Sequence, residues 1–319
     1  MKLEKTYVVG CLIQFYEMQM LPEYAESCIR MMSNVENKKN VRFHFCLDLQ
    51  EQFEKSEIEF LKITEDFLHW VKIMQGSGLD VEFEIKSNID AFYNIAKYRR
   101  DLNYNHCETY DYVLWGETDS LWPSQTLAII ERLQDKVEPK HIITFAYRVN
   151  WDSSWDIMRH PLFELSKFQD NDSWMLYDEA SEKSYMSYQR MEEINDIAID
   201  QVSVFELREP KADGSCLIIS SELIKSGVNI PHALLHCGED ESFMRMAKLV
   251  MGANFRQYLI KNILRVHNRR HPRKRIGIKN ESNPRGFCGT AKGDWWDILE
   301  KKSKYNLENL RNQTKFMKI

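Results

Sequence analysis

Glu117, Thr118 and Asp119 directly follow the short apolar run Tyr112 to Trp115 and Gly116. Two carboxylates two positions apart at the end of a buried strand present hard oxygen ligands suited to Mg²⁺ or Mn²⁺, and an ion held that way can hold a diphosphate. The alternative for this pair is a polar turn without chemistry. The same acid-x-Asp spacing recurs at Asp170-Asn171-Asp172, where no strand precedes it and a solvated loop is the better reading.

A second group of acids, Glu239-Asp240-Glu241, follows His236-Cys237-Gly238 and opens an amphipathic helix. Acids in a first turn complement the helix dipole without doing chemistry. Equally, a carboxylate there can take a proton from a hydroxyl nucleophile. The dipole depresses the pKa of such a base, but a weak base serves where a metal and pre-organised donors stabilise the leaving group. The third group is residues 265–279, RVHNRRHPRKRIGIK, with seven Lys/Arg, two His and no acid. His267 follows a strand and can complete a metal site with Asp119. The arginines read as a solvated basic tail, a diphosphate clamp, an acidic-lipid patch or an RNA contact, the Arg fork being well matched to phosphate.

The elements that must position these residues alternate. Tyr7 to Phe15 reads as a buried strand, Leu21 to Met32 as a helix with Pro22 in its first turn, and Val41 to Leu47 as a strand ending at Asp48. A helix from Ser56 to Met74 closes on Gly76-Ser77-Gly78, a strand covers Val81 to Ile85, and a helix covers Ile89 to Leu102. Such alternation predicts an α/β fold with a mostly parallel central sheet and helices on both faces, binding its ligand at the carboxyl ends of the strands. A helix at Gln125 to Leu133 and a strand at Ile142 to Tyr147 come next. Residues 150–200 then break the pattern, carrying Trp151, Trp155, Trp174, Tyr177, Tyr185 and Tyr188 among acids and amides. Regularity returns with a strand at Cys216 to Ile219, helices from Ser221 and from Glu239 to Met251, and a strand near Gln257 to Val266. A charged helical tail is expected from Asp294 to Phe316.

With 319 residues, 43% hydrophobic and 29% charged, the chain has enough apolar material for a sizeable core, which excludes disorder as the main state. The 43 basic and 48 acidic side chains leave a formal charge of −5, so the total does not point to a nucleic-acid binder. Seven cysteines without a CxxC or Cys/His cluster read as reduced core thiols of a cytoplasmic protein. The opening MKLEKTYVVGCLIQFYEM reads as a first strand rather than a signal peptide, and no run of residues is apolar over a membrane-spanning length.

Taken in order, these segments resemble the GT-A-fold glycosyltransferases, particularly the family-2-like group of inverting, nucleotide-sugar-dependent enzymes. VVGCLIQFYEMQMLPEYAESCI is similar to their first strand, donor loop and first helix. YDYVLWGETDSLWPSQTL is similar to their strand, metal motif and following helix, and SCLIISSELIKSGVNIPHALLHCGEDESFMRMAKLVMGA to their acceptor-side strand, helix and acidic pair.

The resemblance implies a GT-A-like Rossmann-type sandwich. Residues 1–270 would be the catalytic domain, with 1–125 the nucleotide-sugar half, 150–210 an aromatic-rich acceptor insertion and 211–270 the acceptor and catalytic half. Residues 271–319 would be a basic segment and helical tail. It implies Mn²⁺ or Mg²⁺ as cofactor, held by Asp119, Glu117 and His267. Asp48 would bind the nucleoside, Phe15 or Tyr16 would pack on its base, and Arg269 and Arg270 would lie near the diphosphate. Asp240 would be the catalytic base, with Glu239 next. Trp151, Trp155 and Trp174 would stack on acceptor sugars. The implied partners are a nucleotide-diphosphate sugar donor and a glycan or other hydroxyl acceptor, with peripheral contact between residues 265–279 and an anionic membrane left open. The competing readings are a sugar nucleotidyltransferase, whose usual glycine-rich phosphate loop is replaced here by Gln14-Phe15-Tyr16-Glu17, and a non-catalytic carbohydrate- or protein-binding module.

Overall fold

The computed structural model describes residues 1–49, 57–86, 95–147, 188–211, 214–234 and 238–267, with a few positions between 301 and 309. Strand β1 (Tyr7–Gln14) is buried along its whole length, as expected of a central strand covered on both faces. Its side chains alternate. Tyr7, Val9, Cys11 and Ile13 join one core with Tyr24 and Cys28 of α1 (Leu21–Met31) and Phe67 and Val71 of α2 (Glu57–Gly76). Val8 and Leu12 join a second core with Tyr98 and Leu102 of α3 (Ile95–His106) and Phe243 of the helix that carries Glu239 and Asp240. Each fully buried Leu or Phe contributes about 1.5–3 kcal/mol, so β1 anchors both faces at once.

On one side of β1, β2 (Val41–Asp48) and then β3 (Asp80–Lys86) are added in parallel. On the other side β1 pairs in parallel with β4 (Tyr112–Gly116). The sheet order among the described residues is β3-β2-β1-β4-β8-β6-β9-β5, with β7 (Val204–Leu207) also on β9. The chain thus builds outward from β1 to β3, then crosses back to start again at β4. That reversal is a topological switch point, and its crevice lies outside the carboxyl ends of β1 and β4.

The alternating α/β layout matches the expectation from sequence, with one difference of direction. β8 (Leu217–Ser220) runs antiparallel between β4 and β6 (Ile142–Tyr147). β9 (Gln257–His267) is parallel to β6 and antiparallel to β7 and to the short β5 (Ser120–Leu121). Strands β1, β2, β3, β4, β6 and β9 therefore point one way and β5, β7 and β8 the other. Because β8 is reversed, its first residues lie at the same sheet edge as the ends of β1 and β4.

Helix α4 (Thr126–Leu133) packs on the α1 side and α6 (Ser221–Lys225) on the α3 side. The last part of the aromatic-rich region is α5 (Tyr188–Ala198), which is tied into the body. Asn195 exchanges two 2.7 Å hydrogen bonds with the backbone of Leu264, and Asp196 accepts from Gln125 at 2.7 Å. The described cysteines, Cys11, Cys28, Cys46, Cys107 and Cys216, are buried free thiols. No helix among the described residues is long and apolar enough to cross a membrane.

Gly116, the last residue of β4, permits the close approach of α1. A Cβ there would sit 1.9 Å from Tyr24 Oη, which itself accepts the Trp122 indole N–H at 3.2 Å. Gly116→Ala should lower the unfolding free energy by about 1–3 kcal/mol through overpacking. Urea denaturation checks this, and an unchanged midpoint would show that α1 can shift without cost.

Candidate functional site

The switch point gathers residues far apart in sequence. Phe15 and Glu17 lie on the 3₁₀ turn after β1, and Asp48 ends β2 in register with Gln14. Glu117 and Asp119 follow β4, and His267 ends β9 with its backbone paired to Ser120. Ser215 precedes the reversed β8, and helix α7 (Glu239–Met251) starts beside it. Phe15 is buried, Asp48 is 0% exposed and Asp119 4% exposed. The side chains of Tyr16 and His267 lie outside the described set. So do residues Trp151, Trp155, Trp174, Arg269 and Arg270.

Turn 117–120 is a tight one, with Ser120 N donating to Glu117 O at 2.9 Å. It is fastened from three directions. Thr118 Oγ1 donates to Glu17 Oε2 at 2.8 Å, which joins it to the turn after β1. Buried Arg265 of β9 donates from Nη1 to Ser120 Oγ at 2.9 Å. Ser215 Oγ donates to Glu117 Oε2 at 2.5 Å. The other oxygen of Glu117 faces Arg99.

Arg99 is the residue that sequence reasoning missed. It is 1% exposed, yet it carries a full charge into the protein. Nη2 donates to Glu117 Oε1 at 2.7 Å and to the Gly214 carbonyl at 2.8 Å, and Nη1 donates to Glu239 Oε1 at 2.6 Å. The guanidinium lies over the Trp115 ring, 4.8 Å from its centroid. Trp115 in turn donates Nε1 to Asn103 Oδ1 at 2.9 Å and meets Phe243 of α7 edge to face at 4.9 Å. Gly214 leaves the space the guanidinium fills, since a Cβ there would lie 2.7 Å from Arg99 Nη1.

The next residue on α3, Arg100, holds the approach to α7. It donates to the carbonyls of Ile230, Pro231 and Leu234 at 3.0, 3.1 and 3.0 Å. Asn103 donates Nδ2 to Asn229 Oδ1 at 3.0 Å in the same stretch. Three buried polar side chains of α3 therefore organise the segments that carry the acids.

Among the described residues, the Arg99 guanidinium is shared by several carboxylates. Glu117, Glu239 and Asp240 together hold the Arg99 guanidinium above its ordinary pKa against the opposing effect of burial. Glu239 receives less compensation than its own burial demands. Desolvation is the largest cause of its shift, opposed by Arg99 and reinforced by Asp240, and its carboxyl is pushed from 4.5 up to about 7. Asp240 is half-buried, and its Oδ1 accepts the Glu241 N–H at 2.7 Å.

Asp119 stands in the turn after β4, and the backbone of His267 lies opposite the adjacent Ser120. Both oxygens of Glu117 are engaged, by Arg99 and Ser215, so this carboxylate braces the turn. No group of three or more His, Cys, Asp or Glu side chains among the described residues forms a ready-made cage. The carboxylate of Asp119 is a hard oxygen donor of the kind a divalent ion takes, with further ligands drawn from a bound phosphate.

No family model and no curated protein matches this chain. Among solved structures it is similar in layout to GalNAc-T7 crystallised with UDP, GalNAc and Mn²⁺, at 10% identity and a TM-score of 0.48 over 82% of this chain and 44% of that one. It is also similar to the inositol-1-phosphate CTP transferase from T. maritima, at 9% identity and a TM-score of 0.42 over 91% and 98% of the two chains. A third is galactosyltransferase LgtC in complex with donor and acceptor sugar analogs, at 15% identity and a TM-score of 0.30 over 68% and 59%. The chain spans less than half the length of the GalNAc-T7 structure. Likeness of this degree assigns neither a family nor a ligand.

The raised carboxyl of Glu239 has a thermodynamic signature. Between pH 4.5 and about 7 the folded chain keeps a proton that the unfolded chain has released, so this group's contribution to stability falls as pH rises through that window. Glu239→Gln should remove that downward slope, as read from urea midpoints between pH 5 and 8 in the two proteins. Parallel curves would show that Glu239 ionises as freely in the folded chain as in the unfolded one.

Proposed function

We propose that the chain is a nucleotide-sugar-dependent glycosyltransferase, moving a sugar from a nucleotide-diphosphate donor to an acceptor hydroxyl. The observation that carries this reading is the position of Asp48 at the end of β2, Asp119 just past β4, and the Glu239–Asp240 pair tied to that turn through Arg99, all outside the carboxyl ends of the parallel strands. The order of segments along the chain, which resembles the GT-A enzymes, supports the same reading.

In this scheme Asp48, at the end of β2, accepts from the donor base or ribose, and Phe15 supplies an apolar wall beside it. Asp119 and His267 are the residues that would hold the divalent ion. An ion bound there offsets the charge that develops on the leaving diphosphate. Asp240 takes the proton of the acceptor hydroxyl as its oxygen bonds to the anomeric carbon and the bond from that carbon to the diphosphate oxygen breaks. Attack from the face opposite the leaving group inverts the anomeric centre. Glu239 is turned away toward Arg99 and holds the start of α7 rather than meeting the acceptor. Trp151, Trp155 and Trp174 remain candidates for stacking on the acceptor, and Arg269 and Arg270 for the diphosphate.

A thermal-shift series of nucleotide sugars with and without Mn²⁺ tests the class directly. A donor that stabilises the chain only with the ion is the expected result. Stabilisation by a nucleoside triphosphate, with no response to any nucleotide sugar, would assign nucleotidyl transfer instead.

Two variants separate the halves of the site. Asp119→Asn should abolish the Mn²⁺-dependent shift while leaving the unliganded melting temperature within a few degrees, about the scale of a 1 kcal/mol change. Asp240→Asn should keep donor binding and lower transfer by about 10²–10⁴-fold, the usual worth of a positioned base. If Asp240→Asn loses donor binding while bound donor still turns over, Asp240 belongs to the donor pocket.

A further inference from the structure

We propose that Arg99 is a positioning residue that couples the turn carrying Asp119 to the helix carrying Asp240, so that the two halves of the site keep or lose their geometry together. The inference rests on the glycosyltransferase reading only for what the two halves do.

The geometry is that of a shared fork. A single planar guanidinium reaches Glu117 with one nitrogen and Glu239 with the other, at 2.7 and 2.6 Å. The two carboxylates lie 18 and 140 residues from Arg99 in sequence, so no local turn sets their relation. Planarity fixes the angle between them, which a lysine's point charge would leave loose. Sliding is blocked by the Trp115 ring on one face and by Gly214, whose carbonyl is bonded at 2.8 Å. The same Trp115 touches Phe243 of α7, so an apolar contact runs beside the ionic one.

Neither Glu117 nor Glu239 needs to touch a substrate for this role. Glu117 lies two positions before Asp119, and Glu239 one before Asp240. A shift of Arg99 toward Glu117 leaves the buried Glu239 under-compensated, and a shift toward Glu239 breaks the tie to the turn, which disfavours intermediate arrangements. A donor that settles the Asp119 turn would therefore also settle Asp240, and the effect is reciprocal.

Hydrogen exchange on the full chain tests this without any assumption about the reaction. Glu117→Gln should raise exchange about tenfold at the amides of residues 238–245, and Glu239→Gln should do the same at residues 116–121, with residues 41–48 unchanged in both. If each substitution raises exchange only in its own segment, the coupling is overturned. Arg99→Lys, which keeps a charge and is less prone to unfold than a neutral replacement, should raise exchange in both segments. A functional arm distinguishes positioning from a merely stabilising ion pair. In Arg99→Lys, kcat should fall about 100-fold with donor KM within threefold, the mark of geometry lost in the transition state. An increase in donor KM alone, or wild-type kinetics in the folded variant, would overturn the positioning role. Should the wild-type chain transfer no sugar at all, the glycosyltransferase reading falls while the exchange result still decides the coupling.

Discussion

The structure turns on a charge that cannot leave. A guanidinium removed from water costs several kcal/mol unless its donors are matched and its charge is balanced. Arg99 meets most of that demand through two carboxylates, one carbonyl and the face of an indole, and leaves its buried Nε–H without a hydrogen-bond partner among the described residues. These partners sit on three segments, so satisfying one side chain fixes β4, the residues ahead of β8 and the start of α7 with respect to one another. The close approach at Gly214 and the bond from Trp115 to Asn103 follow from the same need, since both keep space and orientation for the fork.

That arrangement also explains why neighbouring acids differ. Glu117 is braced by Ser215 and Arg99 together, whereas Glu239 has Arg99 as its principal counter-charge and Asp240 beside it. Asp240, one residue further along α7, is only half-buried. Adjacent carboxylates on one helix turn therefore divide into a buried brace and a group within reach of solvent. The 3₁₀ turn after β1 is drawn into the same assembly through Glu17 and Thr118, so this turn and the acidic one are not independent.

Much of the fold was legible in the chain because its signals are local. The apolar runs of β1, β2 and β4, Pro22 in the first turn of α1, and the acids that open α7 all lie within a few residues of the elements they define. The positions of the carboxylates at 48, 117, 119, 239 and 240 were legible for the same reason, the first three just at or past the end of an apolar strand and the last two at the start of an amphipathic helix. What escaped was non-local. Cys216 to Ile219 reads as a strand, but an apolar run buried on both faces carries no mark of direction, so the antiparallel insertion of β8 was invisible. Arg99, Arg100 and Asn103 fall in YRRDLNYNH, which reads as the polar face of an exposed helix. Their partners lie between 12 and 140 residues away, and no spacing rule links a helix arginine to acids at such distances.

The place of β9 bears on how the protein is made. Arg265 reaches Ser120 across 145 residues of sequence, and the β9 backbone closes the ladder against β5. The acidic turn thus leaves the ribosome long before the strand that locks it. During synthesis the half of the sheet from β1 to β4 can assemble first, with β6 left waiting for the strand it will pair with in parallel. Contacts of such high sequence separation slow folding and leave a strand edge open to wrong partners meanwhile. The acid-bearing edge of the sheet is therefore completed late in the life of the chain, and truncations ending before residue 257 would lack β9 altogether.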